Sequence, residues 1–167
     1  MRSGFTFIET LITMGILLML TSILLLYNRS GEQQIILFKE KASVVNLILK
    51  AKSQSLNTLI TDDPICGYGV YIGVKSYILF KDRAADCRAS DLSYTASDSQ
   101  ELIEEHNLSP GLKFSGSNFQ NILFMPPNPI VFFDGGLASG ERSVSISSLD
   151  EKSSVVLKIN SAGHIAQ

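Results

Sequence analysis

An apolar run at the beginning of the chain defines its first element. From Phe5 to Tyr27 the only formal charge is Glu9, and the run contains no proline and one glycine, Gly15. As an α-helix these 23 residues would extend about 35 Å, enough to cross the roughly 30 Å hydrocarbon core of a bilayer. The pattern therefore predicts a membrane-spanning helix over 5–28, which ends in a polar sequence at 28–31.

A second helical pattern follows the polar sequence. Apolar residues recur at intervals of three, four or seven, which is typical of one face of an α-helix; these residues are Phe38, Ala42, Val45, Leu49, Leu56 and Leu59. The sequence Thr61-Asp62-Asp63-Pro64 then ends the pattern. We expect an amphipathic helix over 29–60 that continues the first helix, with this apolar stripe buried against the rest of the protein.

Residues 61–167 have the pattern of a β-rich domain. Residues 67–73 and 76–81 are rich in aromatic and β-branched side chains and predict a hairpin. Residues 84–100 are polar and rich in serine, which predicts a loop. Further short strands are expected at 112–114, 122–125, 130–133, 142–149, 155–159 and 164–166, whereas 102–105 has only a weak strand pattern. One long helix followed by six to eight strands predicts an α+β fold, with an antiparallel sheet packed on the helix stripe.

Glu9 decides between three interpretations of the apolar run. A cleaved secretory signal requires small residues at its cleavage site, and the chain has no alanine before Ala42. A simple membrane anchor explains the length of the run but gives Glu9 no role. A carboxylate in a membrane helix costs about 2.5–3.5 kcal/mol at the bilayer centre and less near its end, so Glu9 is a candidate functional residue.

The third interpretation comes from the sequence GFTFIETL, which resembles the processing site of type IV prepilins. The resemblance implies that residues 1–4 are a leader, and that prepilin peptidase cleaves between Gly4 and Phe5 and methylates the new amine of Phe5. Glu9 is then the fifth mature residue, which in this family functions in assembly. The resemblance also implies a type IV pilin-like fold with the globular head outside the cytoplasm.

The pairing of Glu9 can also be considered from its chemistry. A free α-amine is mostly cationic at neutral pH. Pairing the amine of one subunit with Glu9 of a neighbour would offset the desolvation of both charges and fix the height at which a subunit enters a helical stack. The alternative is that the Glu9 side chain extends to the lipid headgroups.

Two cysteines, Cys66 and Cys87, bracket the predicted hairpin. An even pair of cysteines in an exported domain is typical of a disulfide, which would close the base of the hairpin. In the chain-entropy model such a bond contributes about 3 kcal/mol. The alternative is two free thiols.

The composition and motifs indicate no nucleic-acid partner and no enzyme. The net charge is −2 with 18% charged residues, and Lys50, Lys52, Lys81 and Arg83 form no basic surplus. The two histidines, His106 and His164, lack metal-ligand spacing, and no phosphate-binding loop or nucleophile motif is present. We expect no catalytic residues and no cofactor.

One loop could be considered for calcium. Asp82, Asp86 and Asp91 space carboxylates along it, as in calcium-binding pilin relatives, but Arg83 and Arg88 interrupt the series. A solvated loop without metal is therefore the favoured interpretation.

These expectations combine into a structural subunit of a type IV pilus or a type II secretion pseudopilus. Minor pilins and H-type, FimT-like pseudopilins are the most similar, through an early GYGVYI strand and a late NSAGHI sequence. The implied partners are other pilin or pseudopilin subunits, prepilin peptidase, an inner-membrane assembly platform and, before assembly, membrane lipid. The alternative is a membrane-anchored, extracytoplasmic adhesin or receptor that does not polymerise.

Overall fold

The computed structural model describes residues 6–57 and 64–166, and over 25–30 it describes the helical backbone without the side chains. Helix α1, Phe7–Asn57, passes through the polar sequence at 28–31 without interruption, so the expectation of one helix containing both segments is confirmed. The predicted end of this helix at 59–63, including Leu59, lies outside the described residues. The chain divides into two compact units, one ending at Ile36 and the other beginning at Leu37; we call the second unit the head.

The head contains ten strands within the described residues, arranged in two antiparallel sheets. They are β1 Ile65–Ile72, β2 Ser76–Arg83, β3 Leu102–Asn107, β4 Leu112–Ser117, β5 Asn121–Met125, β6 Ile130–Phe133, β7 Gly136–Leu137, β8 Arg142–Ser148, β9 Ser154–Ile159 and β10 Ile165–Ala166. The first sheet has the order β3-β2-β1-β5-β6-β7, and the second has the order β10-β9-β8-β4. The predicted α+β class and the β1–β2 hairpin are confirmed, whereas the expectation of six to eight strands in one sheet is wrong.

Glycines in β1 allow the first sheet to pack closely. A Cβ atom at Gly69 would lie 2.5 Å from the carbonyl oxygen of Ile122 and 2.6 Å from the ring of Phe80. Because real Cβ atoms do not approach other atoms this closely, the position requires glycine. The Phe80 ring can therefore lie directly over Gly69, on the face of the sheet opposite the helix.

The main core lies between α1 and the other face of the first sheet. Strand register places Val70, Leu79 and Ile122 side by side on this face, and all three are fully buried. The Tyr77 hydroxyl, on the same face, donates a hydrogen bond of 2.8 Å to the Ser43 hydroxyl oxygen of α1. The helix side chains buried in this core are Leu37, Val44, Leu47, Ile48 and Ala51.

The predicted buried stripe of α1 is wrong, because it faces away from the sheets. Phe38 is 63% exposed and Leu49 is 50% exposed, and Ala42 and Leu56 are also exposed. Both faces of the helix have apolar residues at helical spacing, so periodicity alone cannot distinguish them. The buried face also carries Glu40, whose carboxylate accepts hydrogen bonds from the backbone N–H and the hydroxyl of Ser109.

The two sheets meet at the turn between β9 and β10. Gly163 adopts a positive φ of 68° there, and a Cβ atom at this position would lie 2.7 Å from the ring of Phe124 and 3.1 Å from Val131. Lys52 of α1 donates a hydrogen bond of 3.4 Å to the Ala162 carbonyl in the same turn. The helix and this turn therefore share the same face of the first sheet.

Residues 84–101, which we call the strap, cover the opposite face of the first sheet. The predicted loop is confirmed, since these residues form turns and bends rather than strands. The strap is not fully solvated, however, because Leu92 is buried in a second apolar cluster with Ile78, Phe80 and Leu123. Tyr94 packs against the same cluster, so the first sheet is covered on both faces.

Candidate functional site

The first candidate site is the beginning of α1, around Glu9. The Thr6 carbonyl accepts hydrogen bonds from the backbone N–H groups of Glu9 and Thr10, at 3.1 and 3.2 Å. The Glu9 carboxylate accepts from the Thr6 backbone N–H and hydroxyl, each at 3.5 Å. Glu9 therefore provides the glutamate half of a capping box and reaches back to the N-terminal end of the helix, while its own backbone N–H donates to the Thr6 carbonyl rather than to the Thr6 hydroxyl. The sequence pattern T-x-x-E could have revealed this second role for Glu9.

The hydroxyl side chains of the helix after Glu9 form hydrogen bonds within the helix. Each hydroxyl between Phe7 and Leu24 donates to a carbonyl of the same helix: Thr10, Thr13, Thr21 and Ser22, at distances of 2.8 to 3.0 Å. Within the described residues Phe7–Leu24 is the segment long and apolar enough to cross a membrane, and none of it is buried. Glu9 is its only charged side chain.

The exposed face of α1 in the head forms the second candidate site. A shallow groove of about 460 Å³ runs along it, lined by Phe38, Lys41, Ala42, Val45 and Asn46. This groove includes part of the stripe that the sequence analysis expected to be buried. We call Phe38, Ala42, Val45, Leu49 and Leu56 the outer stripe; Val45 is half-buried and the other four are exposed.

Cys66 and Cys87 form a disulfide in the structure, with their Cα atoms 5.1 Å apart. The bond joins β1 to the beginning of the strap. It therefore encloses the β1–β2 hairpin, as expected from the sequence.

The acidic residues of the strap region do not converge on a common centre. Asp82 is only 1% exposed, and both of its carboxylate oxygens accept hydrogen bonds from the Ser90 hydroxyl, at 2.8 and 2.6 Å. Asp86 and Asp91 accept from nearby backbone N–H groups within their own turns. Among residues 6–57 and 64–166, no group of three His, Cys, Asp or Glu residues is placed to hold a metal ion.

A second buried carboxylate lies at the end of the strap. Glu101 is 5% exposed and accepts a hydrogen bond of 2.7 Å from the Thr95 backbone N–H. Burial raises the pKa of both Asp82 and Glu101, and the neighbouring carboxylate of Asp91 raises both further.

Both histidines and Lys50, which were considered from the sequence, have structural contacts. His106 stacks on Tyr77 with ring centroids 5.3 Å apart, and its Nε2 lies 3.4 Å from Glu104. Lys50 of α1 pairs with the same Glu104, and this contact lowers the pKa of Glu104. His164 lies in the β9–β10 turn, where its backbone N–H donates to Asn160.

The two residues of the expected processing site, Gly4 and Phe5, lie outside the described residues. Comparisons with protein-family models, curated protein sequences and solved structures found no match to this chain.

Proposed function

We propose that this protein is a structural subunit, a minor pilin or pseudopilin, of a type IV pilus or type II secretion pseudopilus. The observation that carries the proposal is Glu9, the only charge on a helix segment whose apolar side chains are all exposed. A monomeric soluble protein has no use for such a segment. A membrane and a bundle of like helices are the two environments that would cover it.

In the proposed cycle the precursor inserts through its apolar helix as a single-pass protein with the head outside the cytoplasm. Prepilin peptidase cleaves between Gly4 and Phe5 and methylates Phe5. On assembly through the platform, the helix exchanges lipid contacts for close packing against the helices of neighbouring subunits. The amine of one Phe5 pairs with Glu9 of a neighbour and sets the register of the stack.

The outer stripe supports this proposal independently of Glu9. Phe38 and Leu49 lie on α1 within the head, and both expose about half or more of their surface. Exposed apolar faces of this kind mark interaction surfaces. In the proposed filament, other subunits would cover this face.

One observation favours the alternative of a membrane-anchored binding module. The contact with Thr6 gives Glu9 a local role at the beginning of the helix, which a receptor that never polymerises would also use. The two functions can therefore be separated by removing the charge of Glu9 while keeping its capping ability.

The separating variants are Glu9→Gln and Glu9→Leu. Glutamine can occupy the same position in a capping box but carries no charge. We expect both variants to be cleaved normally and to appear in sheared filaments at least about tenfold less than the unmodified protein, corresponding to about 1.4 kcal/mol. The measurements are N-terminal sequencing and quantitative blotting of the filament fraction.

Glu32→Gln is the matched control, because Glu32 is an exposed acidic residue of the same helix outside the apolar segment. It should assemble normally. Normal assembly of Glu9→Gln, or a mature chain that still begins with Met1 in cells with active peptidase, would contradict the proposal.

A further inference from the structure

The strap packs against the face of the first sheet that is opposite α1. Leu92 is buried against Phe80, and the Tyr94 ring lies 5.6 Å from that of Phe80 and 5.3 Å from that of Tyr71. Removing these two side chains from the sheet would expose the second apolar cluster to water. Within the described residues, the strap is therefore the only segment outside the first sheet that packs against this cluster.

The backbone conformation of the strap has an energetic cost. Leu92 has a positive φ of 53°, a conformation that costs about 1–2 kcal/mol for a residue other than glycine. A Cβ atom on Gly135 would lie 2.6 Å from the Asp91 carbonyl oxygen, so the strap backbone is pressed against the β6–β7 turn. Such conformations persist only where surrounding contacts hold them.

Backbone hydrogen bonds hold both ends of the strap: the Ala84 N–H donates to the Pro64 carbonyl at 3.3 Å, and the Glu101 carbonyl accepts from the Lys81 N–H at 2.9 Å. Between these ends, Ser90 and Tyr94 form hydrogen bonds with the first sheet. The Tyr94 backbone N–H donates to the side-chain oxygen of Asn121 at 3.1 Å. The Ser90 hydroxyl donates to Asp82 of β2, and the Thr95 N–H donates to Glu101 within the strap itself; both acceptors are buried carboxylates. Burial raises the pKa of these carboxyl groups, so part of the energy of each contact offsets desolvation.

The disulfide adds a covalent attachment at the beginning of the strap. Cys87 lies five residues before Leu92, and its bond to Cys66 ties it to the beginning of β1. We infer that the Cys66–Cys87 disulfide is a latch: with the bond formed the strap covers the second apolar cluster, and with the bond reduced the strap opens and exposes it.

The chemistry of the latch is a two-electron exchange. A dithiol reductant transfers two electrons and two protons, so that the protein disulfide becomes two cysteine thiols and the reductant becomes a cyclic disulfide. Closing the latch is the reverse reaction with an oxidising disulfide. Disulfides form and persist outside the cytoplasm, so we expect the latch to close after export of the head. This timing rests on the proposed function, whereas the latch itself does not.

Hydrogen exchange of the full chain in detergent micelles tests the inference. Oxidised protein, protein reduced with dithiothreitol and the Cys66→Ser/Cys87→Ser variant are compared by mass spectrometry. We expect amides in 88–100 to exchange at least about tenfold faster without the bond, whereas amides in β8 and β9 remain as protected as before. Equal protection of 88–100 in all three forms would overturn the latch, and so would a uniform loss of protection across the head.

Exposure of the cluster has its own readout in Met125, which packs against it. Met125 is the only methionine of the head, the others being Met1, Met14 and Met19. Peroxide should oxidise Met125 several-fold faster in the double serine variant than in the oxidised protein. An unchanged rate, together with a faster-exchanging strap, would overturn the claim that the strap covers the cluster. Filament assembly enters neither measurement, so failure of the proposed function leaves this test intact.

Discussion

At the scale of single residues, Asp82 shows how burial and hydrogen bonding oppose each other. Desolvation raises the pKa of its carboxyl group above the ordinary value of 3.8, while the Ser90 hydroxyl acts in the other direction. A carboxyl group with a raised pKa in the folded protein favours folding while it is protonated. Its contribution is therefore complete below the ordinary pKa and is lost as the pH rises through the folded pKa.

We predict that Asp82→Asn makes the head more stable than the unmodified protein above the folded pKa of Asp82, and not at acid pH. Asparagine keeps an oxygen that can accept from Ser90 but carries no charge to desolvate. The free energy of unfolding, measured by urea denaturation across the pH range, should therefore depend less on pH in the variant.

Asp150→Asn is the matched control with the opposite sign. The Ser148 hydroxyl lowers the pKa of this exposed carboxyl group, so its small contribution is present at neutral pH and is lost as the pH falls. Loss of stability at neutral pH in Asp82→Asn would show that the negative charge of Asp82 stabilises the head.

At the scale of the elements, α1 has two apolar faces with different roles. Ile48 is fully buried on the first sheet, whereas its neighbour Leu49 is half exposed on the outer stripe. The two residues have similar volume and lie in the same helical turn. They are therefore a direct test of which face holds the head together.

We predict that Ile48→Ala destabilises the head by about 2–5 kcal/mol, because it removes buried contacts and leaves a cavity. Leu49→Ala should change stability by less than about 1 kcal/mol, since a partly exposed side chain loses little on truncation. Urea unfolding of the full chain in detergent, followed by circular dichroism, provides the measurement. Equal effects of the two substitutions would contradict the assignment of the buried face.

The same helix shows how far sequence reasoning reaches. The hairpin of β1 and β2 and most of the later strands follow from local patterns of β-branched and aromatic residues. The choice between Leu49 and Ile48 as the buried residue does not, because both belong to apolar series of equal period. The choice depends on distant contacts such as Tyr77 with Ser43 and Ser109 with Glu40.

The division into two sheets also could not be predicted from local sequence patterns. β4 pairs with β8 rather than with a neighbour in sequence, and no feature of either strand specifies that partner. At the candidate site, the sequence indicated Glu9 through its isolation in an apolar run. Its contact with Thr6 follows the T-x-x-E pattern, which is a local signal of a helix N-terminus.

At the scale of the whole molecule, the outer stripe connects the proposed function to a measurable surface. Phe38 and Leu49 contribute little to the main core, so polar substitutions there should leave the head folded. We predict that the double variant Phe38→Ser/Leu49→Ser is processed normally and unfolds at nearly the same urea concentration, but enters filaments several-fold less efficiently. Filament yield after shearing is the measurement.

Val156→Ser is the control for this surface, because Val156 is a similarly exposed apolar residue on β9 of the second sheet. It removes apolar surface without touching α1. If both changes reduce filament yield equally, general surface apolarity rather than the outer stripe is responsible. Unchanged yield in the double variant would remove the outer stripe from the assembly surface.

The position of Gly163 has a consequence for biosynthesis. This late turn rests against Phe124 and Val131, which are made about thirty residues or more earlier. Until this turn has emerged from the ribosome, Phe124 and Val131 remain exposed to water, even if the first sheet has already formed. Ribosome-bound intermediates should therefore remain sensitive to proteases until residues 154–166 are free, and then become resistant in a single step.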